Sequence, residues 1–141
     1  MPITLTVSEG LLPTDAEARV FADLTDALLQ AAQLDGNSFM TPNVVGTINV
    51  LPATRVFSGG RPGPAAFIEL TLPAIALATP EAKQAFIKAA TTIVERAAGG
   101  GLSRDRIWAN IVYAADGAWG IAGRSYSNAA LVDAVVNAAA A

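Results

Sequence analysis

A strand–helix–strand pattern occurs twice along this chain, and the repetition constrains the fold more than any other feature. The first copy spans about residues 2–51 and begins with the sequence MPITLTV, in which apolar residues alternate with threonine as in a half-buried strand. The second copy spans about residues 65–113 and begins with AAFIELTL. Two such copies predict two βαβ units side by side in one sheet of a single domain.

Both predicted helices carry start signals at matching places. Thr14 with Glu17 forms a capping-box pattern for a helix over residues 11–36, which Gly36 would end. In the second helix Thr79 is the expected N-cap, since the proline after it suits the first helical position. These signals place one helix in each repeat.

The segment 114–141 completes the predicted domain. It has a short edge-strand pattern at 119–121 and a helical pattern over 128–137, beyond which residues 138–141 are expected to fray. The predicted class is α+β, with a four-stranded mixed sheet and two helices packed on one face.

The residues that the chain lacks restrict its chemistry. It has no cysteine and no histidine, which excludes disulfides, thiol nucleophiles, zinc–thiolate sites and the Ser-His-Asp triad. Its two lysines, Lys83 and Lys88, lie in a charged, helix-like segment and are poor candidates for a neutral-pH base. The net charge of −3 argues against nucleic-acid binding, and no apolar run is long enough for a membrane span, so a cytoplasmic location is expected.

Pro2 leads the remaining candidates for a base. An initiator methionine is normally removed before proline, so the mature chain would begin with a secondary amine. Burial in an apolar pocket lowers the pKa of an amine toward neutrality, and such a base suits proton abstraction next to a carbonyl. Met-Pro starts are common, so this pattern alone does not assign the role.

The glycine-rich stretches match no cofactor motif. Gly99–Gly101 follows a helix, precedes a strand and has no Walker lysine, and Gly117, Gly120 and Gly123 do not fit the dinucleotide fingerprint. We interpret both as backbone turns, and no cofactor or metal is predicted.

Proline behind the initiator on a first strand, the tandem βαβ units and the segment DRIWAN at 105–110 together resemble the tautomerase superfamily. The double-length layout is similar to macrophage migration inhibitory factor and to oxalocrotonate tautomerase. The resemblance implies a homotrimer with a central barrel and an active site at each subunit interface. It also implies a cofactor-independent keto–enol tautomerase that acts on a small α-keto acid or dienol acid.

The same resemblance implies roles for individual residues. Pro2 would be the general base, and Leu72 and Pro73 would line the pocket floor. Trp108 and Asn110 would reach the pocket from the adjacent subunit, where Asn110 would bind the enolate oxygen. Trp119, Ile121 and Tyr126 would form the apolar wall. Without the resemblance, each aromatic is equally a core or interface residue.

One cation is a candidate for substrate binding, and two residues differ from those usual in the family. Arg124 lies in a turn beside Tyr126, and we expect it to bind the substrate carboxylate, with a surface ion pair as the alternative. Asn37 is the nearest match to the family's basic residue after the first helix, and Trp108 stands where tyrosine is usual.

Two other functions stay open. The first is a hydratase or dehalogenase for an unsaturated acid, which would use Asp116 or Glu9 to activate water. A decarboxylase of a keto acid, from the same superfamily, belongs to this alternative. A trimeric binding protein would keep the fold without any chemistry.

Overall fold

Residues 1–140 are described by a computed structural model of the chain. Its strands and helices, in chain order, are β1 (Pro2–Ser8), α1 (Glu17–Ala31), β2 (Val45–Leu51), β3 (Phe57–Ser58), β4 (Arg61–Pro62), β5 (Ala66–Pro73), α2 (Pro80–Ala97), β6 (Ile107–Ala114), β7 (Trp119–Ile121), β8 (Arg124–Tyr126) and α3 (Asn128–Ala140).

The main sheet has the strand order β2-β1-β5-β6. β1 pairs with β2 in parallel, β5 pairs with β6 in parallel, and the antiparallel pair β1–β5 joins the two βαβ units. The predicted α+β class with a four-stranded mixed sheet is therefore confirmed.

The two faces of the sheet have different surroundings. Alternate residues of the central strands are fully buried beneath α1 and α2, for example Ile3, Leu5 and Leu70. The apolar stripes of the helices, with Leu24 and Phe86 at 0% exposure, complete this core. The alternating pattern places the other side chains on the opposite face, which no helix covers.

The helix limits differ from the predicted ones in the first repeat. Residues Thr14–Ala16 form a 3-10 turn, α1 begins at Glu17, and no side chain caps its N-terminus, so the predicted capping box is wrong. α1 also ends at Ala31, five residues before Gly36, because Gln33 adopts a positive φ of 57° that breaks the helix.

The predicted cap of the second helix is confirmed. Thr79 Oγ1 accepts a hydrogen bond from the Ala82 amide at 3.1 Å, and Pro80 occupies the first helical position of α2.

The C-terminal segment forms a hairpin, β7–β8, followed by α3. α3 continues to Ala140, three residues beyond the predicted helix end at Asn137, and Ala141 lies outside the described residues. The fraying expected over 138–141 stays a prediction. No helix within residues 1–140 is both long enough and apolar enough to cross a membrane.

Candidate active site

Met1, directly before β1, is enclosed by other parts of the chain, whereas Pro2 is exposed. Met1 is 2% exposed, its amine donates a hydrogen bond to the Asn43 carbonyl, and its own carbonyl accepts one from the Val45 amide at 3.3 Å. Pro2 follows as the first residue of β1 and lies opposite Val45 of β2. The edge of the sheet thus fixes the position of the chain's first residues.

Burial changes the acid–base chemistry of this end. It lowers the pKa of the Met1 α-amine from 8.0 to about 6, because loss of water disfavours the ammonium form. At neutral pH the amine at this position is therefore largely uncharged and able to accept a proton.

A cavity of about 350 Å³ adjoins Met1. Four parts of the chain line it: the end of α1 with the turn after it, the loop before β2, the β5–α2 connection with the first turn of α2, and one face of α3. The lining residues are Met1, Ala31, Ala32, Gln33, Leu34, Met40, Pro73, Ile75, Ala76, Leu77, Ala78, Thr79, Ala82, Leu131, Val132, Val135 and Val136. The cavity is therefore apolar and lies at one end of the sheet beside Met1, and Pro2 is not among its lining residues.

The β5–α2 connection is held by a side chain from β6. Tyr113 Oη donates to the carbonyl oxygens of Ala76 and Leu77, at 3.0 and 3.2 Å. Leu77 has a φ of +46°, a conformation that costs a residue with a side chain on the order of 1 kcal/mol. Burial raises the pKa of Tyr113, so its hydroxyl keeps the proton that this contact needs.

Asn37 connects the loop before β2 to α3. Its side chain is buried, its Nδ2 donates to the Val135 carbonyl at 3.0 Å, and its Oδ1 accepts from the amides of Phe39 and Met40 at 3.1 and 2.9 Å. Asn37 is therefore a structural link between two walls of the cavity, and it does not line the cavity.

Trp108 and Asn110 lie on the uncovered face of β6. Trp108 stacks on Phe67, with ring centroids 5.5 Å apart, and Asn110 lies opposite Glu69. Two strand spacings separate β6 from β1, so Asn110 is about 10 Å or more from Pro2 of the same chain. One subunit alone does not bring these two predicted residues together.

Leu72 is fully buried beneath the helices and does not line the cavity, although the next residue, Pro73, does. The predicted role of Leu72 at the pocket floor stays a prediction.

The other predicted residues cluster in the C-terminal hairpin. Trp119 of β7 lies opposite Tyr126 of β8, and the ring of Tyr126 is 6.0 Å from that of Phe39. The Arg124 guanidinium stacks over Tyr126 at 4.8 Å and does not line the cavity. The structure thus groups Trp119, Arg124 and Tyr126 with one another, outside the cavity of the described chain.

The role of α3 as a cavity wall was not predicted from the sequence. The signal was present, since Leu131 and Val135, and likewise Val132 and Val136, are spaced four apart and share a helix face. The local pattern did not show what that face would pack against.

Asp116, considered above for water activation, has another role. Its Oδ1 accepts a hydrogen bond at 2.6 Å from the Asn128 amide at the start of α3. This contact stabilises a helix N-terminus.

Several solved structures have a similar fold. Pt0534 inactivated by 2-oxo-3-pentynoate matches with a TM-score of 0.75 over 93% of this chain and 98% of that chain, at 17% identity. A wild-type fused 4-OT symmetric trimer matches with a TM-score of 0.76, the same coverages and 20% identity. Macrophage migration inhibitory factor of Toxoplasma gondii matches with a TM-score of 0.67 over 89% of this chain and all of that chain, at 16% identity. No family model and no curated protein matches the sequence.

Proposed function

Because the chain has the fold of the tautomerase superfamily, we propose that it is a cofactor-independent keto–enol tautomerase whose general base is the Pro2 nitrogen. The supporting observation is the buried Met1 amine directly before β1, which adjoins an apolar cavity and whose pKa burial lowers to about 6. A Pro2 amine whose pKa is lowered in the same direction would be uncharged at neutral pH and still basic enough to accept a proton from carbon.

The proposal requires removal of Met1. While Met1 is present, the Pro2 nitrogen is an amide and has no basicity. Removal of Met1 would leave the secondary amine of Pro2 at the start of β1. This amine lies one residue from the Met1 amine, whose pKa is lowered by burial. Removal would also empty the space that the buried Met1 side chain fills beside the cavity.

The reaction then needs only one proton acceptor. The Pro2 nitrogen takes a proton from the carbon next to the carbonyl, the C–H electron pair moves into the enolate, and the same proton is returned to oxygen. No electrons enter or leave the substrate. In the reverse direction the nitrogen accepts the enol proton and the carbon receives it.

We propose that Asn110 of a neighbouring subunit donates to the enolate oxygen. Within one chain Asn110 is too far from Pro2, and both lie on the sheet face that no helix covers. A homotrimer with that face turned inward would provide the missing donor, as the resemblance implies. Preorganised donors of this kind typically contribute about 2.7–4 kcal/mol to the rate.

Four measurements on the purified protein test the proposal. Intact mass should show that Met1 is absent, and light scattering should give three times the subunit mass of 14.4 kDa. Ketonisation of phenylpyruvate, a test compound from the expected α-keto acid class, should proceed, and 2-oxo-3-pentynoate should label the N-terminal peptide.

Substitution of the base gives the decisive comparison. Pro2→Ala should lower kcat/KM about 100-fold or more, in line with the usual contribution of a general base. Pro13→Ala changes a proline outside the cavity and should leave the rate unchanged. Retained Met1, or full activity of Pro2→Ala, would show that the proposed base is wrong.

A further inference from the structure

Two backbone groups hold Met1 in place at the end of the sheet. The Met1 amine donates to the Asn43 carbonyl, and the Met1 carbonyl accepts from the Val45 amide at 3.3 Å. Met1 is 2% exposed, belongs to the hydrophobic core and adjoins the cavity. The residue therefore occupies a site that offers one donor, one acceptor and an apolar wall.

Removal of Met1 would free both backbone groups while the surrounding structure keeps them in position. Val45 is fixed by the parallel pairing of β1 with β2, which continues over all seven residues of β2. Asn43 is fixed by two hydrogen bonds, from its amide to the Met40 carbonyl at 2.9 Å and from its Nδ2 to the Phe39 carbonyl at 2.7 Å. In the processed chain, from which Met1 is removed, both groups would need a new partner.

The vacated site adjoins the proposed base. The Pro2 side chain is exposed, but its nitrogen is bonded to the carbonyl carbon of the buried Met1. In the processed chain this nitrogen therefore borders the space that Met1 leaves. The amine nitrogen and the Cβ of Met1 are each three bonds from the Pro2 nitrogen, which places both within about 3.7 Å of it. Ligand atoms near these two positions would lie close enough to exchange a proton with the base.

The enol of an α-keto acid has the same branching as that residue. Its central carbon carries a hydroxyl, a carboxylate and the first carbon of the side chain, where the Met1 Cα carries the amine, the carbonyl and Cβ. We propose that the substrate takes the place of Met1 in the processed chain, so that the Val45 amide donates to its carboxylate, the Asn43 carbonyl accepts from its enol hydroxyl, and an apolar side chain enters the cavity. This inference rests on the proposed tautomerase function and names binding groups for it.

This placement accounts for both ends of the proton transfer. In ketonisation the Pro2 nitrogen takes the hydroxyl proton, and the O–H electron pair forms the carbonyl. The electron pair of the carbon–carbon double bond then takes the proton from the nitrogen and forms the new C–H bond. The oxygen lies where the Met1 nitrogen was and the carbon lies where Cβ was, so one base serves both atoms. The Asn43 carbonyl favours the enol, because the ketone has no hydrogen on this oxygen.

The first test varies the side chain of the substrate. The α-keto acid of methionine has three more non-hydrogen atoms than pyruvate, and each buried group of this size improves affinity about fourfold. Its KM should therefore be about 50-fold lower than that of pyruvate. Equal KM values would show that the side chain does not enter the cavity and would overturn the placement.

The second test removes the Val45 N–H. Val45→Pro lacks this donor, whereas Val45→Ala keeps it and shortens the side chain. Proline is compatible with this position because Val45 is the first residue of β2, an edge strand of the main sheet. For the α-keto acid of methionine, the KM of Val45→Pro should be at least about tenfold higher than that of Val45→Ala, since a hydrogen bond to a charged group is lost. Equal KM values in the two variants would overturn the role of the amide.

Nuclear magnetic resonance observes the same contact without a change at Val45 and without turnover. Processed Pro2→Ala, labelled with nitrogen-15, is titrated with the α-keto acid of methionine, and the Val45 amide proton should move downfield because it gains a charged acceptor. The control is protein that retains Met1, from cells whose methionine aminopeptidase is inhibited. Its Val45 amide already donates to Met1 and should not respond.

This measurement also separates the inference from the proposed function. A downfield shift of the Val45 amide in the processed protein supports the inference even if the wild type proves inactive as a tautomerase. An unchanged Val45 amide at saturation overturns it even if tautomerase activity is found.

Discussion

The replacement of Asn37 by alanine tests how the C-terminal helix is held against the cavity. Asn37 is 6% exposed, and its amide group connects the loop before β2 to α3 across 98 residues of sequence. Alanine would leave the Phe39 and Met40 amides without their acceptor and would remove the donor to the Val135 carbonyl. No other side chain of that loop makes all three contacts.

The expected loss follows from these three hydrogen bonds. Each contributes about 0.5–1.5 kcal/mol net, and a buried amide left unpaired costs about 1–3 kcal/mol. Water can reach part of this region, so we expect the free energy of unfolding to fall by about 3 kcal/mol. That is a substantial part of the roughly 5–15 kcal/mol that stabilises a typical protein.

Urea denaturation followed by tryptophan fluorescence measures this change, at one fixed protein concentration because oligomers unfold in a concentration-dependent way. Asn137→Ala is the control, since Asn137 is exposed on α3 and outside the cavity. It should stay within about 0.5 kcal/mol of the wild type. A similarly small effect of Asn37→Ala would refute the view that this amide secures α3.

Three further predictions concern the same end of the molecule. Gly46→Ala would place a Cβ 1.9 Å from the Ile3 carbonyl oxygen, so the free energy of unfolding should fall by at least about 3 kcal/mol and the melting temperature with it. The control is Gly120→Ala, whose Cβ would meet no atom within 4 Å and should leave the melting temperature unchanged. In the protein that has lost Met1, the rate of tautomerisation should rise with pH through an apparent pKa below 8.0, because the surroundings that lower the pKa of the Met1 amine should also disfavour the charged form of the Pro2 amine. Activity is then lost on acidification, as the amine becomes protonated. Tyr113→Phe removes the hydroxyl that donates to the Ala76 and Leu77 carbonyls. Steady-state kinetics should show KM raised more than kcat is lowered, and denaturation should show the free energy of unfolding reduced by about 1 kcal/mol.

Local sequence patterns were sufficient for much of the fold. The alternation in β1 and β5 predicted the buried central strands, and Thr79 with Pro80 predicted the start of α2. These signals are reliable because each depends on residues within a few positions of one another. The first helix shows the limit of such signals, since the Thr14 and Glu17 pattern was present and the structure uses a 3-10 turn instead.

The candidate site depended on contacts between distant segments. Pro2 could be proposed from the sequence because its chemistry belongs to the first strand itself. The sequence could not show that α3 would form a cavity wall, that Asn37 would bind the Val135 carbonyl, or that Arg124 would stack on Tyr126 away from that cavity.

The amino-acid sequence by itself thus determined which segments form strands and helices and which residues could act as a base without histidine or cysteine. Only the tertiary structure decided that Met1, directly before β1, is buried, that the pKa of its amine is lowered, and that the adjoining cavity is lined by uncharged side chains of the described residues. The physical reason is that periodicity is set by neighbours along the chain, whereas burial and electrostatics are set by whichever remote segments pack around a group.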